Sequence, residues 1–322
     1  MTAIKEPMLL RPFGKGYMWG GERLKTEYNI DLQTTPLAES WECSVHPDGL
    51  CTVGNGQFAG MTLKDVIEEN PGFLGGKNPD FPILIKFIDA ASDLSIQVHP
   101  DDEYAKRVEN SKGKTEFWYV LDATEDAKLI YGFEHPMTPD KIKEAIGEGR
   151  LEDVLHYVPV KKGDKFLVTA GTVHAIGEGV LIAEIQESSN LTYRLYDYDR
   201  RDRNGQKREL HIEKALDVLN MEAVVSLKQP QRMVRYFYGC AREIICRCRY
   251  FEVERVQVTK GFSFSVMDTS FQVLLCIDGE GGVETDETNK PLRFNKGSCV
   301  FLPAGMGRCH VIGECSLLKV RC

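Results

Sequence analysis

Apolar positions along this chain fall mostly in short β-branched and aromatic runs punctuated by Gly, Pro, Asn or Asp, such as FPILIKFI at 81–88, KFLVTA at 165–170 and VLIAEI at 180–185. Runs of this length and composition read as strands, and their number predicts an all-β chain. Helical periodicity is confined to three places. TLKDVIEENP opens on Thr62-x-x-Asp65, which resembles a capping box, and stops at Pro71. TPDKIKEAIGEGRLEDVLHY sets Thr138 before Pro139 and brings Ile142, Ala145 and Ile146 onto one face, so 138–157 is expected to be a small helical insertion. HIEKALDVLNME at 211–222 reads as the helix that closes a first domain.

One stretch of this pattern occurs twice. KGDKFLVTAGTVHAIG at 162–177 superposes without a gap on the first part of KGSCVFLPAGMGRCHVIG at 296–313, each with Lys-Gly and then Ala-Gly seven residues after the Gly. A polar turn, an apolar strand, an Ala-Gly bend and a strand able to carry His are the build of the second half of a cupin barrel. The fold expected is therefore all-β, two cupin (jelly-roll) barrels with a small helical insertion. Residues 1–122 and 158–235 would form the first barrel with its closing helix, 123–157 the insertion and 236–322 the second barrel. In the second copy Arg308 stands opposite His174 and no Q-x-H precedes it, so that barrel is expected to be metal-free.

Length and composition narrow the class. At 322 residues with 42% hydrophobic content, the chain can bury a large core, and two domains are the prior. The opening MTAIKEPMLLRPFGKGYMWGG has only the apolar run MLL before Arg11 and Pro12, so no signal-peptide core and no membrane span are expected, and a cytoplasmic location is. None of the ten cysteines forms a C-x-x-C pair, which favours reduced thiols over a disulfide framework or a structural zinc. A formal charge of −8 and a pI of 5.5 speak against nucleic-acid and anionic-membrane partners. An anionic small substrate would need a few committed cations.

The sharpest local chemistry is SIQVHPDDEYA at 95–105. Side chains alternate in an extended chain, so Gln97 and His99 share a face. Glu116 heads the next apolar strand and His174 lies in the repeat. Two imidazoles, one carboxylate and one weakly donating amide make a catalytic zinc set that leaves room for substrate and favours polarising a carbonyl. Iron or manganese would accept similar ligands. His46, in SVHPDG, has no Gln two residues before it and is expected in a loop; His135, His156, His211 and His310 show no partner spacing and are read as structural.

SIQVHPDD, GKTE, AGTVHA and AEIQESSNLTYRLYD together resemble type I mannose-6-phosphate isomerase, in its short bacterial form with two cupin barrels; GYMWGGERL and AESWECSVHPDG extend the likeness from about residue 10 to the C-terminus. The resemblance implies interconversion of mannose 6-phosphate and fructose 6-phosphate, with one zinc ion per chain on Gln97, His99, Glu116 and His174. It also implies substrate contacts by Trp19, Ser95, Lys114 and Arg194, and a catalytic role for Arg194, Lys114 and Glu184, with Glu187 and Glu178 as neighbouring carboxylates for the last. Lys114, two residues before Glu116, would share its strand face and bring an ammonium close to the metal. Arg194 could take the phosphate in its planar fork, or could pair with Asp197 or Asp199. The run DRRDRNGQKRE at 199–209 reads as a solvated loop. The partner expected is a small sugar phosphate and the chain a monomer or homodimer. The alternatives are a sugar-phosphate-binding cupin without turnover and a cupin enzyme using iron.

Overall fold

The computed structural model describes residues 4–76, 80–201, 204–224, 227, 233–286 and 290–322. Its strands join in three antiparallel sheets of ten, six and five strands, so the chain is mostly β. The six-stranded sheet runs in the order Lys165–Val168, Glu116–Ala123, Val180–Glu187, Ile83–Asp89, Glu39–Cys43 and Phe13–Lys15. The five-stranded sheet runs Tyr193–Tyr196, Ile96–Val98, His174–Ile176, Lys128–Phe133 and Leu155–Pro159. Among the described residues no helix is long and apolar enough to cross a membrane.

The continuous apolar run at 83–89 has a structural cause. On one face of that strand Ile83, Ile85 and Phe87 join a core shared with Val273, Leu275 and Phe301 of the ten-stranded sheet. On the other, Ile88 packs with Trp19, Trp118 and Val120. A strand covered on both sides loses polar alternation. Lys86, buried in the middle of this strand, is therefore conspicuous.

Both copies of the repeated motif turn in the same way. Gly163 and Gly297 stand at φ +91° and +93°, and Gly171 and Gly305 at +85° and +72°. These are left-handed conformations that side chains disfavour. The likeness of 162–177 and 296–313 is thus a likeness of backbone path. The first strand, Met8–Arg11, pairs with Cys299–Leu302 in the register Met8↔Phe301 and belongs to the ten-stranded sheet. On its other side it pairs with Thr52–Val53, so it joins residues of the N-terminal part to the ten-stranded sheet.

Helices follow expectation in part. Leu63–Glu69 forms, with Thr62 accepting from the Asp65 amide at 3.0 Å, and Ile212–Val218 buries Ala215 against the five-stranded sheet. The expected insertion over 123–157 is helical only in Pro139–Gly147 and the short 3-10 turn Leu151–Val154. Its flanks, Lys128–Phe133 and Leu155–Pro159, pair with each other as strands; at Leu155–Tyr157 sheet partners outweigh the local helical period. A helix that the pattern did not suggest spans Asp102–Glu109, with Asp101 accepting from the Tyr104 amide at 2.8 Å and Asn110 closing it at φ +50°. It follows the Q-x-H strand directly. Its return brings Lys114 back beside that strand, where the Lys114 amide donates to the Pro100 carbonyl at 3.0 Å.

Candidate active site

Ser95, Gln97 and His99 alternate along one edge of chain. Gln97 pairs in register with His174 on one side and with Arg194 on the other, so three polar side chains of the five-stranded sheet are cross-strand neighbours. Glu116, Trp118 and Glu184 come from the six-stranded sheet, where Glu184 pairs with both Lys86 and Trp118. The two groups meet. His174 Nε2 lies 3.2 Å from Glu116 Oε1, and His99 Nε2 lies 3.4 Å from Glu116 Oε2.

Several features fit this cluster to a cation. One ligand atom from each of His99, Glu116 and His174 lies within 4.8 Å of the others, and all three residues are buried. Among the described residues neither carboxylate oxygen of Glu116 and neither ring nitrogen of His99 has a hydrogen-bond partner, a cost that a bound cation would remove. His174 Nδ1 donates to the Thr172 carbonyl at 2.8 Å, which leaves the Nε2 lone pair facing the cluster. Trp118 holds the His174 ring edge-on at 5.4 Å. The Gln97 side-chain amide lies beside the cluster, its nitrogen 3.3 Å from His174 Nε2.

Electrostatics agree with this fit. Burial, reinforced by Lys114, pushes His99 down to about 3, and burial also lowers His174. Both imidazoles therefore stay neutral, the form that donates to a metal. Burial alone would raise Glu116, but Lys114, His99 and His174 hold its carboxyl well below the usual range, ionised. Lys114 Nζ lies 3.1 Å from Glu116 Oε2.

Beside the cluster opens a cavity of about 350 Å³ whose wall includes Trp19, Ser95, Gln97, Lys114, Glu184 and Arg194. The four residues expected to touch substrate, and Glu184 expected to act in catalysis, are thus brought together with one of the metal candidates. Glu184 is buried, accepts from Trp118 Nε1 at 2.9 Å and faces Lys86 at 3.2 Å; burial and the charge of Glu116 raise its pKa. Its sequence neighbours do not reach the cavity. Glu187 accepts from the Thr115 amide and Glu178 is exposed. Trp19 stacks on Tyr17 with ring centres 5.3 Å apart.

Arg194 does not take the ion pair that the sequence left open. Asp197 is engaged by Arg200 and Arg208, and Asp199 by Lys207. Among the described residues the Arg194 guanidinium meets no carboxylate; it donates to Ser95 Oγ at 3.3 Å and to the Glu209 carbonyl at 2.8 Å. Burial and the neighbouring Arg208 lower its pKa. The run 199–209 is accordingly more than a solvated loop, since Arg208 also lines the cavity; residues 202–203 lie outside the described residues.

Sequence reading missed Tyr17, Glu39, Lys86 and Arg208 as cavity residues. A usable signal existed only for Lys86, a lone charge inside an apolar strand. The remaining histidines lie elsewhere: His46 follows a strand in a loop, His156 pairs with Glu134 at 2.7 Å and His310 with Ser263 at 2.8 Å. His211 binds the Arg194 amide through Nδ1 at 3.2 Å. None of the ten cysteines is joined in a disulfide.

Comparison with known proteins places these features in a family. Residues 8–129 match the family model for the phosphomannose isomerase type I catalytic domain, and residues 243–322 match that for the mannose-6-phosphate isomerase cupin domain. The chain is 37% identical to the probable mannose-6-phosphate isomerase GmuF of Bacillus subtilis over 98% of its own length and 99% of the relative's. It is likewise 37% identical to the mannose-6-phosphate isomerase ManA of the same organism, over 96% of this chain and 98% of that one. The crystal structure of the mannose 6-phosphate isomerase from Bacillus subtilis superposes with a TM-score of 0.91 at 34% identity, covering 98% of this chain and 99% of that one.

Proposed function

The chain belongs to the type I phosphomannose isomerase family, and from that premise we propose that it interconverts mannose 6-phosphate and fructose 6-phosphate with one zinc ion held by Gln97, His99, Glu116 and His174. The observation that carries this reading is the buried His99–Glu116–His174 cluster, in which among the described residues the ring nitrogens of His99 and the carboxylate oxygens of Glu116 have no hydrogen-bond partner, beside a cavity lined by Arg194. We read residues 1–122 with 158–235 as the catalytic cupin barrel, 123–157 as its insertion and 236–322 as a second, metal-free barrel.

Aldose–ketose isomerisation moves a proton between two adjacent carbons while negative charge builds on the oxygens they carry. When bound, a divalent cation supplies electrophilic stabilisation of that charge. The chain's own residues do the rest. Lys114 presents a buried ammonium at the same place and adds a second positive charge where oxygen becomes anionic. Glu184 is the carboxyl poised to take and return the proton: it is buried in the cavity wall, oriented by Trp118 and faced by Lys86. Trp19 and Ser95 position the sugar, and Arg194 holds its phosphate.

The direct test is metal content measured beside turnover of mannose 6-phosphate. About one zinc per chain is expected, with activity lost on chelation and restored by zinc. Full turnover by metal-free protein, or restoration by iron(II) and not by zinc, would overturn the assignment. Arg194 gives a further prediction. Charge-assisted hydrogen bonds to phosphate in a half-buried site contribute about 2–3 kcal/mol, so Arg194→Ala should raise KM for mannose 6-phosphate by about thirty- to a hundredfold with a smaller fall in kcat. An unchanged KM would mean that phosphate binds elsewhere.

A further inference from the structure

We propose that Cys248, positioned by the Cys246 thiol, is a modification site of the ten-stranded sheet, presented by an arginine-lined cavity to small disulfides that carry carboxylates. This cavity, of about 320 Å³, is walled by residues from 247–252, 265–272 and 321–322 and shares none with the cavity beside His99, Glu116 and His174. Cys246 and Cys248 form a C-x-C pair where the strand Cys240–Arg247 turns back into Glu252–Val258. Side chains two apart in extended chain fall on one face, so the thiols meet. Cys246 is buried and paired with Val253, and its thiol hydrogen-bonds the Cys248 sulfur, which is half-buried at the cavity wall. The Cys248 amide donates to the Phe251 carbonyl at 3.0 Å and the Tyr250 hydroxyl to Asp102 at 3.0 Å, which fixes the turn between the strands.

Two features suit this sulfur to thiol–disulfide exchange. Hydrogen bonds from the Cys246 thiol and from the Tyr250 and Phe251 amides outweigh burial and lower the Cys248 pKa, favouring the nucleophilic thiolate. A contact that favours the protonated form, donation to the Phe251 carbonyl, is long at 3.5 Å. Charge is the second feature. Arg247 and Arg321 flank Glu252 on its two neighbouring strands and both pair with its carboxylate, Arg321 through Nε at 2.8 Å. The Arg249 guanidinium lies over the Tyr250 ring, 5.8 Å from its centre. Three guanidiniums against one carboxylate leave this wall two positive charges in excess, in a chain whose formal charge is −8. An anionic disulfide is drawn here against the overall field. The Cys248 thiolate then attacks one sulfur of R–S–S–R. The bond from Cys248 to that sulfur forms, the original S–S bond breaks and its electron pair leaves on R–S⁻. Cys248 is thereby oxidised to a mixed disulfide and the other half of the reagent is reduced to a thiol.

The test compares two disulfides of similar size and opposite charge, dithiodipropionate and cystamine, on the reduced full chain, with adducts located by peptide mass mapping. Dividing each rate by that of the neutral thiol N-acetylcysteinamide cancels the reagents' own leaving-group difference. Dithiodipropionate should label Cys248 first, with a normalised rate about tenfold above that of cystamine at low ionic strength, and the ratio should fall toward unity in about 1 M salt. Arg249→Gln should narrow it. Cys248→Ser should abolish the fast adduct, whereas Cys322→Ser, which removes the other thiol lining this cavity, should leave it. Cys246→Ala should slow the labelling of Cys248 about fivefold or more, and Cys246→Ser, which keeps a hydrogen-bond donor, should restore it. First labelling of Cys322 or any other cysteine, equal normalised rates for the two reagents at low salt, or wild-type labelling in Cys246→Ala overturns the proposal. Each variant is checked by its thermal unfolding transition; should Cys248→Ser not fold, mapping of the wild-type adduct decides the site.

Discussion

Replacing His99 by Ala is expected to yield a folded protein that retains no zinc and isomerises mannose 6-phosphate at least about a thousandfold more slowly, the loss that follows when the main electrophilic stabilisation of a developing oxyanion disappears. His99 is 1% exposed, both its ring nitrogens lack hydrogen-bond partners among the described residues, and it faces Glu116 at 3.4 Å. Its only evident task is to donate to something between it and Glu116. Without it, two protein ligands and a weak amide remain, too few to hold a divalent ion against a chelator. His310→Ala is the matched control. That ring is hydrogen-bonded to Ser263, in the second copy of the repeat, and its loss should change neither metal content nor rate. Zinc measured by emission spectroscopy in both dialysed variants, with turnover beside it, decides the matter. Stoichiometric metal in the His99 protein would sink the ligand assignment.

Lys114→Met should leave zinc in place and lower kcat by about a hundred- to a thousandfold, with KM less affected, since removing one preorganised charge from a developing oxyanion costs about 3–4 kcal/mol. Lys114 lies within salt-bridge distance of Glu116, so a second outcome has to be distinguished. If the ammonium served mainly to keep Glu116 ionised, the Met variant would lose metal along with activity, and excess zinc would restore both. Retained metal with lost turnover is the expected pattern. Near-normal turnover would return Lys114 to a structural ion pair.

Much of the site was legible because its pieces obey local periods. Alternation put Ser95, Gln97 and His99 along one edge, spacing put Lys114 beside Glu116, and the Lys-Gly and Ala-Gly turns marked His174. Those relations span two to about ten residues, where backbone geometry alone decides direction. The helix at Asp102–Glu109 escaped notice for a related reason: its Pro-Asp-Asp start carries both turn and N-cap chemistry, and the pattern does not choose between them. The ends of the insertion were misread where helical and strand periods compete over a few residues.

Non-local relations were not legible. Lys86 looked like a stray charge until pairing with Val180–Glu187 set it against Glu184, and Arg208 looked like part of a polar loop until Asp197 turned it toward the cavity. Arg194 had candidate carboxylates within five residues, and only the folded arrangement gives those carboxylates to other cations. By itself the sequence determined which segments extend, which side chains share a face and which donors stand two residues apart, because these follow from the fixed rise and twist of the chain. The tertiary structure alone decided which faces meet across two sheets and which charge finds which partner. Ion pairs and cavities form between residues far apart in sequence, and no local period encodes that distance.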